Sequence, residues 1–400
     1  MDLLRNRLLV IVSLGHLFVD LSSSTVPVLL TFFSLPMGLS YAQIGLASSI
    51  YNFVSSLLQP ISGWLADRYG SRWLGSGGLV WVLIFIALTA VVGQGGSYAW
   101  MLVALSLAAV GSAAFHPQGA MNATHVAAGR ETTGASIFFA FGNTGMTTGP
   151  VLAGIMLSQL GPGKFPLMSL AGLPVVWLLT TVGHRPVQAV QRAGKRGAPA
   201  TARPRLTMWA VAALISLIAL RSWANMGTTT FLPKFFQEAR GWDPAAYGLV
   251  ASMWTIGTAI GNLSGGPLAE RWGRRLLVSS SLVAVAPVLL FLPYTEGFTA
   301  FLLTALGGLA SGLSFSVILV LAQTLLPGGK GMASGLTLGF MFASGAIGNV
   351  INGWIADNWG LTLSLQSVAL VALCGAMCAW IIPATRPAAI ATEGDAAPAV

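Results

Sequence analysis

The chain has 400 residues, of which 55% are apolar and 8% are charged, and its formal net charge at pH 7 is +9. Soluble domains carry roughly a quarter charged residues, so this composition excludes an ordinary soluble enzyme. The few positive residues lie in short connections between apolar runs, which indicates membrane topology and not nucleic-acid binding.

Twelve apolar segments follow one another along the chain, separated by breaks that contain Gly, Pro or polar residues. A helix needs about 20 apolar residues to cross a bilayer. The apolar runs are continuous, as in LVWVLIFIALTAVV at 79–92, whereas strands of a membrane β-barrel alternate between apolar and polar residues. The first run follows Arg5 and Arg7 without a small-residue cleavage pattern, so we interpret it as a span and not as a signal peptide. The predicted spans are 8–33, 42–65, 73–93, 98–121, 134–158, 166–184, 207–233, 245–269, 275–293, 298–326, 332–356 and 361–383.

These spans predict an all-α polytopic membrane protein with 12 transmembrane helices in two pseudo-symmetric six-helix bundles. The stretch 185–206 holds six Lys and Arg residues and no acidic residue, which is typical of a flexible linker. The predicted parts are an N-terminal bundle at 1–184, a basic cytoplasmic linker at 185–206, a C-terminal bundle at 207–384 and a disordered cytoplasmic tail at 385–400.

The distribution of Lys and Arg predicts the sidedness of the chain. With the N-terminus inside, 16 of the 20 Lys and Arg residues fall on the cytoplasmic side, and three, Lys164, Lys234 and Arg240, fall on the other. Because cytoplasmic loops carry the excess of positive residues, we expect an inner-membrane protein with both termini in the cytoplasm.

The two halves of the sequence repeat one another. HLFVDLSSST at 16–25 matches RSWANMGTTT at 221–230, GWLADRYGSR at 63–72 matches GPLAERWGRR at 266–275, and GPVLAGI at 149–155 matches GNVINGW at 348–354. Duplicated six-helix halves are a transporter architecture with the substrate site near the membrane midplane. The sequence contains no phosphate-binding loop, His/Cys cluster or nucleophile elbow, so we expect no enzyme, no cofactor and no metal.

Four residues with a carboxylate, imidazole or guanidinium lie inside predicted spans and away from the span ends, where such residues usually face a cavity or a partner. His16 and Asp20 are spaced i, i+4 and therefore share a helix face. The repeat places Arg221 and Asn225 at the equivalent positions of the second half. We predict Asp20 as the proton carrier and His16 as its relay, with Arg221 and Asn225 binding substrate; the alternative is a fixed structural ion pair between Asp20 and Arg221.

The fourth ionisable residue of the spans, His116, precedes a proline. Pro117 lacks a backbone N–H, so it loosens the helix and frees a carbonyl. We assign His116 to proton coupling; the alternative is a packing histidine at a helix kink. Asn143 is a candidate for lining the substrate cavity, and helix–helix packing is its alternative role.

The motifs resemble those of the major facilitator superfamily. The stretch 63–72 is similar to the superfamily's loop signature between the second and third helices, and 266–275 repeats it. We assign a gating role to residues of both copies: Gly63, Asp67, Arg68, Gly70, Arg72, Glu270 and Arg271. Ser71 departs from the pattern, because a basic residue is usual there. The stretch 145–154 resembles the fifth-helix antiporter motif through Gly145, Gly149, Pro150 and Gly154.

The run FHPQGA at 115–120, together with FGNTGMTTGP at 141–150, is similar to the fosmidomycin-resistance branch of this superfamily. The resemblance implies a secondary active transporter that exports a drug or metabolite as protons move inward, and it adds Gln118 to the substrate-binding candidates. An alternative is a proton symporter or facilitator that imports an anionic metabolite with Arg221 as its main ligand. A lipid-handling protein on the same fold is a second alternative. We expect a monomer that interacts with a small molecule, protons and membrane lipid, and not with nucleic acid.

The signature loop has two interpretations. Asp67 can pair with Arg72 or with a helix N-terminus of the other half and so latch the cytoplasmic side, or its charges only anchor the topology. A third copy, GWIADNWG at 353–360, lacks the arginine. We interpret this copy as a helix-end repeat at the outer interface and not as a gate, because the positive-inside rule disfavours arginine there.

Overall fold

A computed structural model describes residues 2–69, 72–127, 131–182, 207–325 and 330–382. The regular structure in these residues is helical. The α-helices are α1 (Arg7–Ser23), α2 (Val26–Ser34), α3 (Tyr41–Tyr69), α4 (Arg72–Gln94), α5 (Tyr98–His125), α6 (Glu131–Gln159), α7 (Pro166–Leu170), α8 (Leu173–Val182), α9 (Met208–Arg240), α10 (Pro244–Trp272), α11 (Arg274–Phe291), α12 (Gly297–Leu313), α13 (Phe315–Leu325), α14 (Lys330–Trp359) and α15 (Leu361–Ile381). The predicted linker at 185–206 and tail at 385–400 lie outside the described residues.

These helices form twelve spanning units, because α1 with α2, α7 with α8, and α12 with α13 each make one interrupted span. At two of the interruptions a hydroxyl binds a carbonyl of the preceding turn: Thr25 Oγ1 donates to the Ser22 carbonyl at 2.6 Å, and Ser314 Oγ to the Ser311 carbonyl at 3.0 Å. Such bonds compete with the helix ladder. The prediction of twelve transmembrane helices is confirmed.

Several helices extend beyond the apolar runs, as α9 shows. The predicted span ends at 233, but α9 continues to Arg240 and ends where Gly241 adopts φ +63°. Glycine enters this left-handed region without steric penalty, so it terminates the helix. Lys234, assigned from sequence to the outer connection, therefore lies inside α9, and only 1% of its surface is exposed.

Eight helical segments of the described chain are long and apolar enough to cross a membrane. The remaining long helices, α3, α6, α10 and α14, are not among them. These four helices make the main contact between the halves, with α3 packed along α14 and α6 along α10. They face the other half of the protein instead of lipid alone, which explains why their sequences are less apolar.

The two halves meet near one end of the bundle, which we call the closed face: the end where α3 begins, α6 ends, α10 begins and α14 ends. The described hydrogen bonds between the halves involve residues 34–49 and 151–158 of the first half, all toward this face. Toward the other end of α3, Leu57, Ile61 and Trp64 are exposed.

Candidate functional site

The carboxylate of Asp20 contacts two imidazole rings. The i, i+4 spacing on α1 places His16 Nε2 at 3.2 Å from Asp20 Oδ2, as the sequence predicts. α5 packs beside α1 and brings His116 Nε2 to 3.1 Å from Asp20 Oδ1. The three residues predicted for proton coupling thus form one group, which we call the Asp20 cluster.

The other nitrogen of each ring faces a backbone carbonyl. His16 Nδ1 lies 2.9 Å from the Phe138 carbonyl oxygen, and His116 Nδ1 lies 2.8 Å from the Ser112 carbonyl oxygen. A carbonyl oxygen only accepts hydrogen bonds, so each Nδ1 carries a hydrogen. This fixes the orientation of both rings and directs each Nε2 at Asp20.

The number of protons in the Asp20 cluster follows from these orientations. In a neutral ring with hydrogen on Nδ1, Nε2 is an acceptor, and a carboxylate oxygen is an acceptor too. Each of the two Nε2–oxygen contacts therefore needs one proton to be a hydrogen bond. When both contacts are hydrogen bonds, the Asp20 cluster holds two protons in addition to the two on the Nδ1 atoms. Its net charge is then +1. Loss of both leaves acceptors facing acceptors, which repel.

The surroundings of the Asp20 cluster differ from one ring to the other. His16 stacks on Phe138 with ring centroids 4.0 Å apart. Its ring fills the space beside Gly142 of α6, where an added Cβ would lie 2.6 Å from Nε2. The side chains of His16 and Asp20 are 3% and 12% exposed, whereas that of His116 is 24% exposed. His116 is therefore the member of the cluster most open to solvent.

The Asp20 cluster also has the donor types of a transition-metal site, since its donor atoms lie within 4.8 Å of one another. The contacts of 3.1 and 3.2 Å between nitrogen and oxygen atoms are hydrogen-bond distances. Shared protons account for this geometry, and the absence of a metal stays a prediction.

In the second half, the position equivalent to His16 carries a buried cation, Arg221. Arg221 of α9 is 4% exposed. Its Nη2 donates to the Ser311 carbonyl at 3.4 Å, its guanidinium carbon lies 4.9 Å from the centre of the Phe315 ring, and its Nε has no hydrogen-bond partner. In the part of the chain that the structure describes, no carboxylate lies within salt-bridge distance of Arg221. The predicted alternative of an Asp20–Arg221 ion pair is not formed in this conformation.

The internal repeat extends to the contacts of these residues. Asn225, the equivalent of Asp20, accepts a hydrogen bond from Ser311 Oγ of α12 at 3.3 Å, as Asp20 contacts His116 of α5. In both halves the first span therefore makes a polar contact with the fourth. The first half carries a carboxylate and the second a guanidinium.

The two remaining candidates from the sequence have no hydrogen bond to the Asp20 cluster or to Arg221 among the described residues. Gln118 is buried, and its side chain packs against Gly75 of α4. Asn143 is half-buried on α6 and has no hydrogen bond to Asp20 or Arg221 among the described contacts. Their substrate-binding roles stay predictions. Phe138 and Gly142 also contact His16, but local sequence spacing does not indicate them, because these contacts are made between different helices.

The fifth-helix glycine motif has two separate packing roles. Gly145 and Gly149 lie against the backbone of α1, with an added Cβ at Gly145 only 2.8 Å from the Leu21 nitrogen. Gly154 instead faces the other half, with its Cβ position 3.2 Å from the Ala245 Cα. Pro150 presents its carbonyl oxygen 2.5 Å from the Cβ position of Gly248. One motif thus joins α6 to α1 and to α10.

The predicted cytoplasmic latch lies mostly outside the described residues. This applies to Gly70 and to the side chains of Asp67, Arg68 and Arg72. Gly63 lies in α3, 3.7 Å from Pro117 at its Cβ position, which is an ordinary contact. In the repeat copy, Glu270 and Arg271 are exposed in the last turn of α10.

A bundle of twelve spanning units, with ionisable groups buried in each half, defines a multi-pass membrane transporter fold. A family model described as Major Facilitator Superfamily matches residues 12–244 and 214–398. The chain belongs to this superfamily; it is a transporter and not an enzyme.

Three similar proteins illustrate the relationship. The fosmidomycin resistance protein of Escherichia coli (strain K12) is 31% identical over 368 residues, covering 91% of this chain and 90% of the relative. An uncharacterized MFS-type transporter of Bacillus subtilis (strain 168), YfnC, is 30% identical, covering 95% and 93%. The crystal structure of a bacterial homolog to the human lysosomal transporter Spinster, in an inward-facing and occupied conformation, superposes with a TM-score of 0.77 at 15% identity, covering 94% and 96%, and supports the fold alone.

Proposed function

We propose that this chain exports a small organic compound in exchange for protons by alternating access. The observation that carries the proposal is the contact of one Asp20 carboxylate with two imidazoles, at 3.1 and 3.2 Å, inside the first bundle. Ionisable residues within membrane spans mark proton and substrate pathways. The 31% identity to a fosmidomycin resistance protein supports export.

The Asp20 cluster couples proton movement to conformation. When both Nε2–carboxylate contacts carry a proton, the three side chains stay together, and Asp20 and His116 join α1 to α5. His116 is the most exposed member, so protons enter and leave through it. Deprotonation leaves acceptors opposite each other, which separates Asp20 from the rings and favours a different packing of α1 against α5.

Arg221 binds an anionic group of the substrate. Its guanidinium is buried, and none of the described ion pairs includes it. A buried cation gains most from an anionic partner. Asn225 lies beside it through Ser311. The same observation favours the second candidate function, a proton symporter that imports an anionic metabolite. The direction of coupled movement separates the two.

The charge distribution of the sequence supports the remaining parts of the proposal. The protein is in the inner membrane with both termini in the cytoplasm. The closed face is then the outer face, and the Asp20 cluster exchanges protons with the cytoplasm in this conformation.

Proteoliposomes with a pH-sensitive dye inside test the proposal, with fosmidomycin as the first probe. We expect a pH gradient to drive probe transport against the direction of proton movement, and we expect Asp20→Asn to abolish it. The matched control is His125→Asn, because His125 is an exposed histidine at the end of α5. If Asp20→Asn keeps full gradient-driven transport, Asp20 is not the proton carrier. If the probe moves in the same direction as the protons, the protein is a symporter and not an antiporter.

A further inference from the structure

The third copy of the octapeptide, at 353–360, ends α14 at the closed face and reaches across to the other half. Asp357 Oδ1 accepts a hydrogen bond from the Tyr41 backbone nitrogen at 2.6 Å, and Oδ2 accepts one from the Ala42 nitrogen at 2.9 Å. We propose that Asp357 is the latch of the closed face, and that it stabilises the conformation in which this face is shut. This assignment replaces the interpretation of the copy as a helix-end repeat without a gating role.

The first turn of α3 explains why these two bonds depend on the other half. Ser40 and Gln43 form a reciprocal cap, in which Ser40 Oγ accepts from the Gln43 nitrogen at 3.2 Å and Gln43 Oε1 accepts from the Ser40 nitrogen at 2.9 Å. This local cap leaves the Tyr41 and Ala42 nitrogens without an intrahelical acceptor. Asp357 supplies one oxygen to each, so the helix end is fully capped only when the closed face is shut.

The charge of Asp357 adds to its two hydrogen bonds. The N-terminus of a helix carries a partial positive charge, so a carboxylate is stabilised there. Asp357 comes from α14, which runs antiparallel to α3, and its oxygens meet the α3 amides end-on. Opening the face would separate this carboxylate from the helix N-terminus and leave both amides to water.

The close approach of α3 and α14 depends on two small residues beside this contact. An added Cβ at Gly353 would lie 2.5 Å from the Tyr41 carbonyl oxygen and 2.7 Å from the Ala42 Cα. An added Cβ at Gly45 would lie 2.7 Å from the Asn349 carbonyl oxygen. The glycine and the aspartate of the octapeptide therefore act together: Gly353 permits the contact, and Asp357 holds it.

A second row of bonds continues the contact toward the membrane centre. Asn349 Nδ2 donates to the Gly45 carbonyl at 3.0 Å, and Ser49 Oγ donates to the Ala346 carbonyl at 2.9 Å. Asp357 is the charged member of this row and lies at its solvent end. Because Asp357 lies at the exposed end, its two bonds can be removed by substitution while the buried bonds of Asn349 and Ser49 stay in place.

Distance measurements between spin labels test the latch. The labels replace Ala99 and Thr299, which are exposed at the closed face at the start of α5 and of α12, one in each half. The background carries Cys374→Ser and Cys378→Ser, because these are the free cysteines of the chain. In the parent we expect one main distance, with a minor longer one for the open face.

We expect Asp357→Ala to raise the ratio of the long to the short population about fivefold, the size of the effect of a lost helix cap. Asp357→Asn should give a smaller increase, because its single amide oxygen still caps one nitrogen. The matched control is Asn358→Ala, since the Asn358 amide donates only to the Trp354 carbonyl of its own helix at 2.8 Å. This control should leave the distance distribution unchanged.

An unchanged distribution in both Asp357→Ala and Asp357→Asn would overturn the latch, as would an equal shift in Asn358→Ala. Asp357→Asn preserves the side-chain volume and keeps the test open if the alanine variant does not fold. The distances are measured in detergent without substrate or pH gradient, so the result is independent of the proton role of Asp20.

Discussion

His116 Nε2 lies 3.1 Å from Asp20 Oδ1, although 96 residues separate the two along the chain. This contact converts an i, i+4 pair on α1 into a cluster that joins α1 to α5. Both rings present Nε2 to the same carboxylate because their Nδ1 atoms are bonded to carbonyls. In the proposed mechanism the cluster carries two protons and also joins two helices, so its removal should change both the proton stoichiometry and the transport rate.

Replacing His116 by Asn should reduce the number of protons moved per substrate from two to one. The variant removes one of the two Nε2–carboxylate contacts and leaves the contact of His16 in place. Parallel measurement of proton and substrate fluxes in proteoliposomes gives the ratio. The exposed His125→Asn should keep the parent ratio. An unchanged ratio in His116→Asn would contradict the two-proton assignment.

Adding one methyl group at Gly142 should displace His16. The new Cβ would lie 2.6 Å from His16 Nε2 and 2.7 Å from Nδ1, so the ring must leave its position between Phe138 and Asp20. We expect Gly142→Ala to lower proton-driven transport at least about tenfold, the scale of a small misplacement at a reacting site. Gly77→Ala is the control, because a Cβ there meets no atom within 4 Å. Parent-level transport by Gly142→Ala would show that the ring position is not required.

Replacing Arg221 by Met should weaken binding of an anionic substrate about tenfold or more and leave stability unchanged or higher. The guanidinium has no carboxylate partner among the described ion pairs, so its loss leaves no buried charge unpaired. Lys at this position should restore only part of the affinity, because it lacks the planar fork of the guanidinium. Binding titration and thermal unfolding in detergent measure the two effects. Unchanged affinity in Arg221→Met would remove this residue from the substrate site.

The ion pair of α9 joins a buried ammonium to an exposed carboxylate, so the stability of the protein should depend on which partner is lost. Lys234 Nζ lies 2.6 Å from Glu238 Oε1, and it donates to Ser34 Oγ across the halves at 2.6 Å. Glu238→Gln leaves the ammonium buried with neutral partners, but water reaches position 238. The variant should therefore lower the free energy of unfolding by about 1–2 kcal/mol, less than the loss of a fully buried pair. The double variant Lys234→Met/Glu238→Gln should lose less. Chemical unfolding in detergent measures both.

A matched control for this pair is Glu296→Gln. Glu296 lies 3.4 Å from Arg240, but its side chain is 74% exposed, and exposed pairs contribute about 0–1 kcal/mol. Its loss should be close to neutral. If the double variant were less stable than Glu238→Gln alone, the account of an uncompensated buried ammonium would be wrong.

The twelve spans, the duplication and the shared face of His16 and Asp20 could all be predicted from the amino-acid sequence. Each of these follows from local physics: an apolar run must reach across lipid, a repeat is visible by comparison, and the helical period sets which side chains are neighbours. The sequence also placed ionisable residues at equivalent positions in both halves, because the repeat carries position with it.

The contacts between these groups depend on how the helices pack, and they could not be predicted from the sequence. Asp20 contacts His116 and not Arg221, and Asp357 caps α3 from the opposite half. These contacts join residues that are 96 and 316 positions apart. No local period links such positions, since each distance depends on how α5 packs on α1 and how α14 crosses α3. The sequence shows the chemical type of each residue, but the packing of the helices determines which partner it contacts.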